Sequence, residues 1–214
     1  MLPVLLKLKL ATAAVAAATS APLPVPGADL AISLAVEAGA PVEVSLYDEN
    51  LHGTADVPIA RDGSTDPETA RILKHLFRCR FTGREHAIAQ KTLAMLADVA
   101  DHYQGKTIEF VSAYRVRASE SATSPHRDAR AIDFRIRGVP LGPLRDYLWR
   151  TYSDVGIGWY PSEQFIHMDS RPGLHDTAWT FLSGENRYHP YWAALARRPV
   201  PVKAEHHAPH RPGV

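Results

Sequence analysis

The sequence predicts an α+β fold, a mainly antiparallel sheet with helices packed on it, and three observations carry that expectation. Stretches that alternate apolar and polar residues mix with stretches that repeat an apolar face at helical spacing, without regular strand–helix–strand alternation. Prolines, glycines and small polar residues punctuate them at short intervals. A chain of 214 residues with 45% hydrophobic content is also long and apolar enough to bury one core.

PVEVSLYDENLHGT alternates through Val42, Val44 and Leu46, the period of a half-exposed strand, and Asn50 to Gly53 supply turn residues; ADVPIA reads as a second strand. In STDPETARILKHLFRCRF, Asp66 can cap the first free amides, Pro67 suits the first turn, and Ile72, Leu73, Leu76 and Phe77 form an apolar face, so a helix is expected. A second amphipathic helix is expected from Ala87 to His102, with Ile88, Leu93, Leu96, Val99 and Ala100 inward and a stop near Gly105. TIEFVSAYR reads as a strand with Ile108, Phe110 and Ser112 on one face, and a small, polar loop leads to His126. AIDFRIR is then a strand, LGPLRDYLWRTY a helix, and VGIGWYP and QFIHMD two short strands about a proline turn.

Residues 1–21 read as a signal segment: Lys7 and Lys9 are followed by an apolar run from Leu10 to Ala18 that is too short for a comfortable membrane span, and cleavage is expected near Thr19 to Ala21. The expected product is exported to the periplasm or cell envelope. Residues 22–41 form a proline-rich linker, 42–192 the folded domain, and 193–214 a proline-rich, disordered tail whose His206, His207 and His210 are read as solvated. The 24 Lys and Arg against 23 Asp and Glu leave a formal charge of +1, which gives no broad basic field and argues against nucleic acid as a partner. Arg115, Arg117, Arg127, Arg130, Arg135 and Arg137 form a local basic run, partly offset by Glu120, Asp128 and Asp133. Cys79 is the single cysteine, so no internal disulfide or CxxC zinc ribbon exists, and it reads as a small core residue.

The chemistry centres on SPHRDARAIDF, which sets Asp133 inside what reads as a buried strand, where an unpaired carboxylate costs several kcal/mol. A bound metal or an ordinary ion pair with a nearby arginine would each relieve that cost. The His126–Asp133 spacing alone does not choose between them. FIHMD adds weight, because a strand period puts His167 and Asp169 on one face. Two histidines and an aspartate from separate strands could hold a zinc ion with a fourth position open. Ser112, Ser124 and Cys79 lack an identifiable neighbouring base, so nucleophilic hydrolysis is a poor rival.

SPHRDARAIDF resembles the SxHxxGxAxD metal motif of the zinc D-alanyl-D-alanine peptidases, which share the Hedgehog/DD-peptidase fold. GIGWYPSEQFIHMD resembles the GxGxYP…FxHxD ending of their YcbK/MepK-like murein-endopeptidase branch. The likeness extends to SLYDENLHGT…IARDGSTDPETARILKHLFRCRFTG and to FVSAYR, and covers most of residues 42–180. It implies that His126, Asp133 and His167 bind Zn2+, that Arg115 anchors a substrate carboxylate or carbonyl, and that Asp169 orients a ligand or transfers a proton. The implied activity is zinc-dependent hydrolysis of peptide bonds in peptidoglycan stem peptides, with a D-alanyl cross-link as the expected bond, in cell-wall remodelling. A carboxypeptidase trimming D-alanine and a non-catalytic peptidoglycan-binding domain are the alternatives.

Three departures from the family pattern matter. Gln164 stands where related carboxypeptidases have a glutamate, which leaves Glu163, His175 and Glu185 as further candidates for the base. Ala129 replaces a glycine, which matters only if that backbone needs a positive φ. The loop between SAYR and SPH lacks the usual continuation and carries Val116, Arg117 and Ala118.

Overall fold

The computed structural model describes residues 39–197. The signal segment, most of the linker and residues 198–214 with the tail histidines lie outside the described residues. The strands are β1 (Val42–Asp48), β2 (Thr54–Ile59), β3 (Ile108–Ser112), β4 (Ala131–Ile136), β5 (Val155–Tyr160), β6 (Phe165–Ser170), β7 (Thr177–Leu182) and β8 (Glu185–Tyr188). The helices are α1 (Pro67–Leu76), α2 (Gln90–His102), α3 (Leu141–Thr151) and α4 (Tyr191–Ala196), and a 3-10 turn spans Pro125–Asp128. The last helix thus runs past residue 192, where the tail was expected to begin.

The α+β class holds, but the sheet is mixed rather than mainly antiparallel. Its eight strands lie in the order β2-β1-β3-β4-β6-β5-β7-β8, and β1 pairs with β3, and β5 with β7, in parallel. The parallel pairs follow from connectivity. After the β1–β2 hairpin the chain crosses back through α1 and α2 before entering β3, and a crossover of that length returns a strand parallel to its neighbour. After the β5–β6 hairpin, the chain passes to the free edge of β5 and enters β7 in the same direction as β5.

Alternation along the strands separates two faces. Ile132, Phe134 and Ile136 of β4 and Ile166 and Met168 of β6 join one core with Leu93, Leu96 and Val99 of α2 and Leu144 and Leu148 of α3. The residues that alternate with them, Asp133, His167 and Asp169, point to the other face. Helix α1 begins as its sequence requires, with the Asp66 carboxylate accepting from the amides of Glu68 at 2.9 Å and Thr69 at 3.1 Å, and Pro67 in the first turn. Helix α2 starts at Gln90 rather than near Ala87, and the Ala89 amide before it donates to the carbonyl of Ala129, 3.0 Å away, which ties this segment to the approach to β4.

Candidate metal centre

A single cross-strand row builds the site. In register, Ser112 of β3 lies opposite Asp133 of β4, Asp133 opposite His167 of β6, His167 opposite Gly158 of β5, Gly158 opposite Trp179 of β7, and Trp179 opposite Tyr188 of β8. An irregularity between Phe110 and Ser112 moves Ser112 off the core face that the simple strand period assigned to it and onto this row. The neighbouring row sets Ala131, Asp169, Gly156 and Thr177 side by side. Trp179 lies where a side chain on Gly158 would stand: a Cβ there would overlap the indole, whose ring centroid is 5.1 Å from that of His167.

His126 comes from the 3-10 turn that precedes β4. The turn is closed by Ala129 in the left-handed region (φ 51, ψ 35), so this backbone does require the conformation that glycine adopts freely. The Ala129 methyl is fully buried in a small cluster with Cys79 and Tyr114, which offsets part of the strain. The turn is bound to the end of β3: the Arg115 amide donates to the His126 carbonyl at 3.1 Å, and His126 Nδ1 lies 2.6 Å from the carbonyl oxygen of Ala113.

A carbonyl can only accept, so the Nδ1 of His126 carries its proton and Nε2 presents a lone pair. His167 is held in the opposite sense, with Nε2 donating to Asp169 Oδ2 at 3.0 Å and Nδ1 turned inward. His126 Nε2 is 3.2 Å from His167 Nδ1 and 3.2 Å from Asp133 Oδ2, and His167 Nδ1 is 2.7 Å from Asp133 Oδ1. One donor atom from each of these three residues lies within 4.8 Å of the others, and all three residues are buried. A tetrahedral ion with bonds of about 2.0–2.1 Å needs donor atoms about 3.3 Å apart, so the imidazole-to-imidazole and His126-to-carboxylate separations fit a small divalent cation. The donor set of two imidazoles and a carboxylate suits the same choice.

The electrostatics agree with a site built around positive charge. Burial alone would raise the Asp133 carboxyl, but the adjoining His126 and His167 rings outweigh it and hold the group far below the ordinary carboxylate range. Burial would lower His167, yet its bonds to Asp133 and Asp169 raise it to about 9, so without a metal a proton stands where a cation would. Asp169 would likewise be raised by burial, and hydrogen bonds from His167 and Arg171 bring it down to about 2. Both of its oxygens are engaged: Arg171 Nε donates to Oδ1 at 2.7 Å and Nη2 to Oδ2 at 2.9 Å.

The cluster opens into a cleft of about 540 Å³ whose walls include Arg115, Tyr160, Phe165, Trp179 and Tyr188. Tyr160 stacks on Phe165 with centroids 4.4 Å apart, and Trp179 Nε1 donates to the Tyr160 hydroxyl at 3.2 Å. Trp159 and Trp192 sit elsewhere, against Arg145. Arg115 borders the cleft with Nη1 3.4 Å from Asp133 Oδ2 and Nη2 donating to Glu120 Oε1 at 3.1 Å; its Nε lies 2.5 Å from Glu120 Oε2, off the hydrogen-bond direction. Glu120 appeared in the sequence only as a charge offsetting its neighbours, and nothing in its spacing marks it as the partner of Arg115.

The other base candidates lie away from the cluster. Gln164 occupies the β5–β6 turn with φ 61, donates to the Pro161 carbonyl, and borders a different depression with Glu109 and Arg135. Glu163, His175 and Glu185 are exposed and do not border the cleft.

Fold and cluster together define an α+β domain with a three-residue candidate metal centre on the sheet face away from the helices. Residues 36–175 match the family described as peptidoglycan L,D-endopeptidase MepK, and the chain belongs to that family. It is similar to a probable peptidoglycan L,D-endopeptidase MepK of Haemophilus influenzae, 26% identical over 118 residues covering 50% of this chain and 63% of the relative. It is also similar to the peptidoglycan L,D-endopeptidase MepK of Escherichia coli K12, 30% identical over 80 residues covering 33% of this chain and 43% of that protein. The chain thus spans less than two thirds of the length of either relative. No solved structure matches it.

Proposed function

We propose that this chain is a zinc-dependent peptidoglycan endopeptidase that hydrolyses an amide in the stem peptides of the cell wall. The observation that carries the proposal is the convergence of His126 Nε2, His167 Nδ1 and the Asp133 carboxylate at the floor of a cleft, each imidazole having its other nitrogen tied to a fixed acceptor. Two imidazoles and one carboxylate would hold zinc and leave an open position. Zinc bound there would act as a Lewis acid that polarises the scissile carbonyl and makes water nucleophilic near neutral pH.

The chain's own groups do the rest. Asp169, fully buried and clasped by Arg171, keeps the Nε2 proton of His167 in place and so fixes the tautomer whose Nδ1 faces the cluster. With both oxygens occupied it serves as a positioning residue rather than as the group that carries the proton to the leaving amine. Arg115 Nη1 makes only two long bonds, 3.4 Å each to Ser112 Oγ and Asp133 Oδ2, and this donor is available to a substrate carbonyl beside the cluster. Tyr160, Trp179 and Tyr188 offer an aromatic wall for the body of a peptide or glycan.

The names of the relatives favour an amide between an L- and a D-configured residue over the D-alanyl cross-link that the sequence suggested. Such a substrate places the protein in the periplasm or cell envelope. No helix among the described residues is long and apolar enough to cross a membrane. Digestion of purified cross-linked murein, with products resolved by mass, tests the reading. Loss of dimeric muropeptides joined by L,D bonds is expected, and loss of D-alanyl-linked dimers alone would assign the other bond. Zinc bound with no change in any muropeptide would show a binding domain instead of a hydrolase.

A further inference from the structure

The tyrosine of GIGWYP holds no place in the metal cluster, yet three aromatic neighbours fix it in the wall of the cleft. Tyr160 lies two residues beyond Gly158 on β5, on the strand face that carries His167, and pairs with Phe165 across the β5–β6 ladder. Its ring stacks on Phe165 of β6, with centroids 4.4 Å apart, and on Phe181 of β7 at 5.1 Å. The two flanking strands thus hold the phenol from both sides.

The third neighbour fixes the hydroxyl. The Trp179 indole, packed over Gly158 with its ring centroid 5.1 Å from that of His167, donates from Nε1 to the Tyr160 oxygen at 3.2 Å. An indole N–H can only donate, so the phenol oxygen is the acceptor there and its own hydrogen stays free to bond elsewhere. No acceptor takes that hydrogen among the described residues, and Tyr160 borders the same cleft as His126, Asp133 and His167. A hydroxyl that accepts from one donor is a stronger donor to the next group. Burial raises its pKa above the ordinary value, so the hydrogen stays in place through the neutral range. By contrast, Ser121 and Thr123 of the same cleft lie exposed and bond each other at 3.1 Å, and Tyr188 is 56% exposed. Arg115 follows β3 while Tyr160 belongs to β5, and β4 and β6 with Asp133 and His167 lie between them in the sheet. The two donors therefore approach the cluster from different walls.

We propose that Tyr160 is a catalytic residue of the hydrolysis: its O–H donates to the carbonyl oxygen of the scissile amide and binds it more strongly as water adds to the carbon and negative charge gathers on that oxygen. Trp179 is the positioning residue that aims it. The hydrogen is shared and not transferred, so Tyr160 neither gains nor loses a proton over the cycle. Its effect comes from a dipole already fixed in place before the charge develops. The proposal rests on the peptidase reading above and names a protein donor for the charge that forms on the substrate.

The test is steady-state cleavage of the purified muropeptide dimer that wild type cuts, with products resolved by mass, in wild type, Tyr160→Phe and Trp179→Phe. Zinc content and circular dichroism are taken on each. Tyr160→Phe keeps both ring stacks and removes one oxygen. Its kcat is expected to fall about 100-fold, with KM within about threefold of wild type and zinc unchanged, the pattern of a bond made in the transition state rather than in the bound substrate. Trp179→Phe removes the N–H that aims the phenol and is expected to lose about tenfold in kcat. A kcat in Tyr160→Phe within about threefold of wild type would overturn the proposal, and so would a loss confined to KM. Should Tyr160→Phe fail to fold, Trp179→Phe decides, with a wild-type kcat as the contradicting result. Failure of wild type to cut any dimer would remove the peptidase reading itself, and this proposal with it.

Discussion

His167 lies between two carboxylates, and the division of labour between its nitrogens decides what the centre can hold. Nε2 is fixed on Asp169 and Nδ1 is turned toward Asp133 and His126. Asp169→Asn weakens that fixation and removes the ion pair with Arg171, so zinc affinity is expected to fall about 10- to 100-fold. Competition against a chromophoric chelator measures it, with circular dichroism to verify folding; unchanged affinity would remove Asp169 from the centre. The sequence made His126, Asp133, His167 and Asp169 legible because a motif and a period of two are local signals. It could not show that Glu120 holds Arg115 or that Arg171 holds Asp169, since those pairings depend on how a loop without periodicity folds back. Ala129 was legible as a question, whether its backbone has a positive φ, and only the closed turn supplies the answer.

At the level of elements, the glycines of β5 matter as much as the ligands. Gly156 is paired with Asp169 across the β5–β6 ladder, and a Cβ at this position would come within 2.5 Å of Arg171 Nη2, 2.6 Å of its Nε, and closer still to Asp169 Oδ2. The strand backbone is fixed by ladders on both sides, so the carboxylate and guanidinium would have to give way. Gly156→Ala is therefore expected to cost about 1–3 kcal/mol of stability and to loosen zinc binding, measured by chemical denaturation and by the same chelator competition. Stability and affinity equal to wild type would mean that the pair relaxes freely. VGIGWY read correctly as a strand, but what its glycines make room for depends on cross-strand register, which one sequence does not state. The β7–β8 hairpin was missed although a signal existed: Leu182 and Glu185 flank Ser183 and Gly184, both with positive φ, the two-residue turn that an S-G pair favours between strands. Helix α4 was missed because six residues give too short a window for a helical period to register.

Over the whole molecule, helices cover one sheet face while the other carries a cluster of buried charges, so pH acts on stability through that cluster. The His167 pKa is raised from 6.5 to about 9, so its contribution is complete below 6.5 and is lost as pH rises through about 9. The Asp169 pKa is lowered from 3.8 to about 2, so its contribution is present above 3.8 and is lost as pH falls through about 2. Chelator-treated protein is thus expected to melt highest between about pH 4 and 6.5 and progressively lower toward pH 9. Added zinc is expected to remove the alkaline loss by taking the place of the Nδ1 proton, and acidification is expected to release it. Thermal melts from pH 4 to 9, with and without zinc, check this, and a flat alkaline limb in the chelated protein would contradict it. Class and most element positions were legible from periodicity and capping, whereas the mixed sheet was not, because strand direction follows from where a crossover returns the chain.

The central claim is that His126, Asp133 and His167 hold one divalent cation together. The most direct measurement is zinc content per chain after dialysis, taken by mass spectrometry on wild type, His126→Ala and His167→Ala, with Cys79→Ser as a control in the small buried cluster beside the turn. One zinc per chain is expected in wild type and Cys79→Ser, and almost none in either histidine variant. Equal zinc in wild type and His126→Ala would contradict the account.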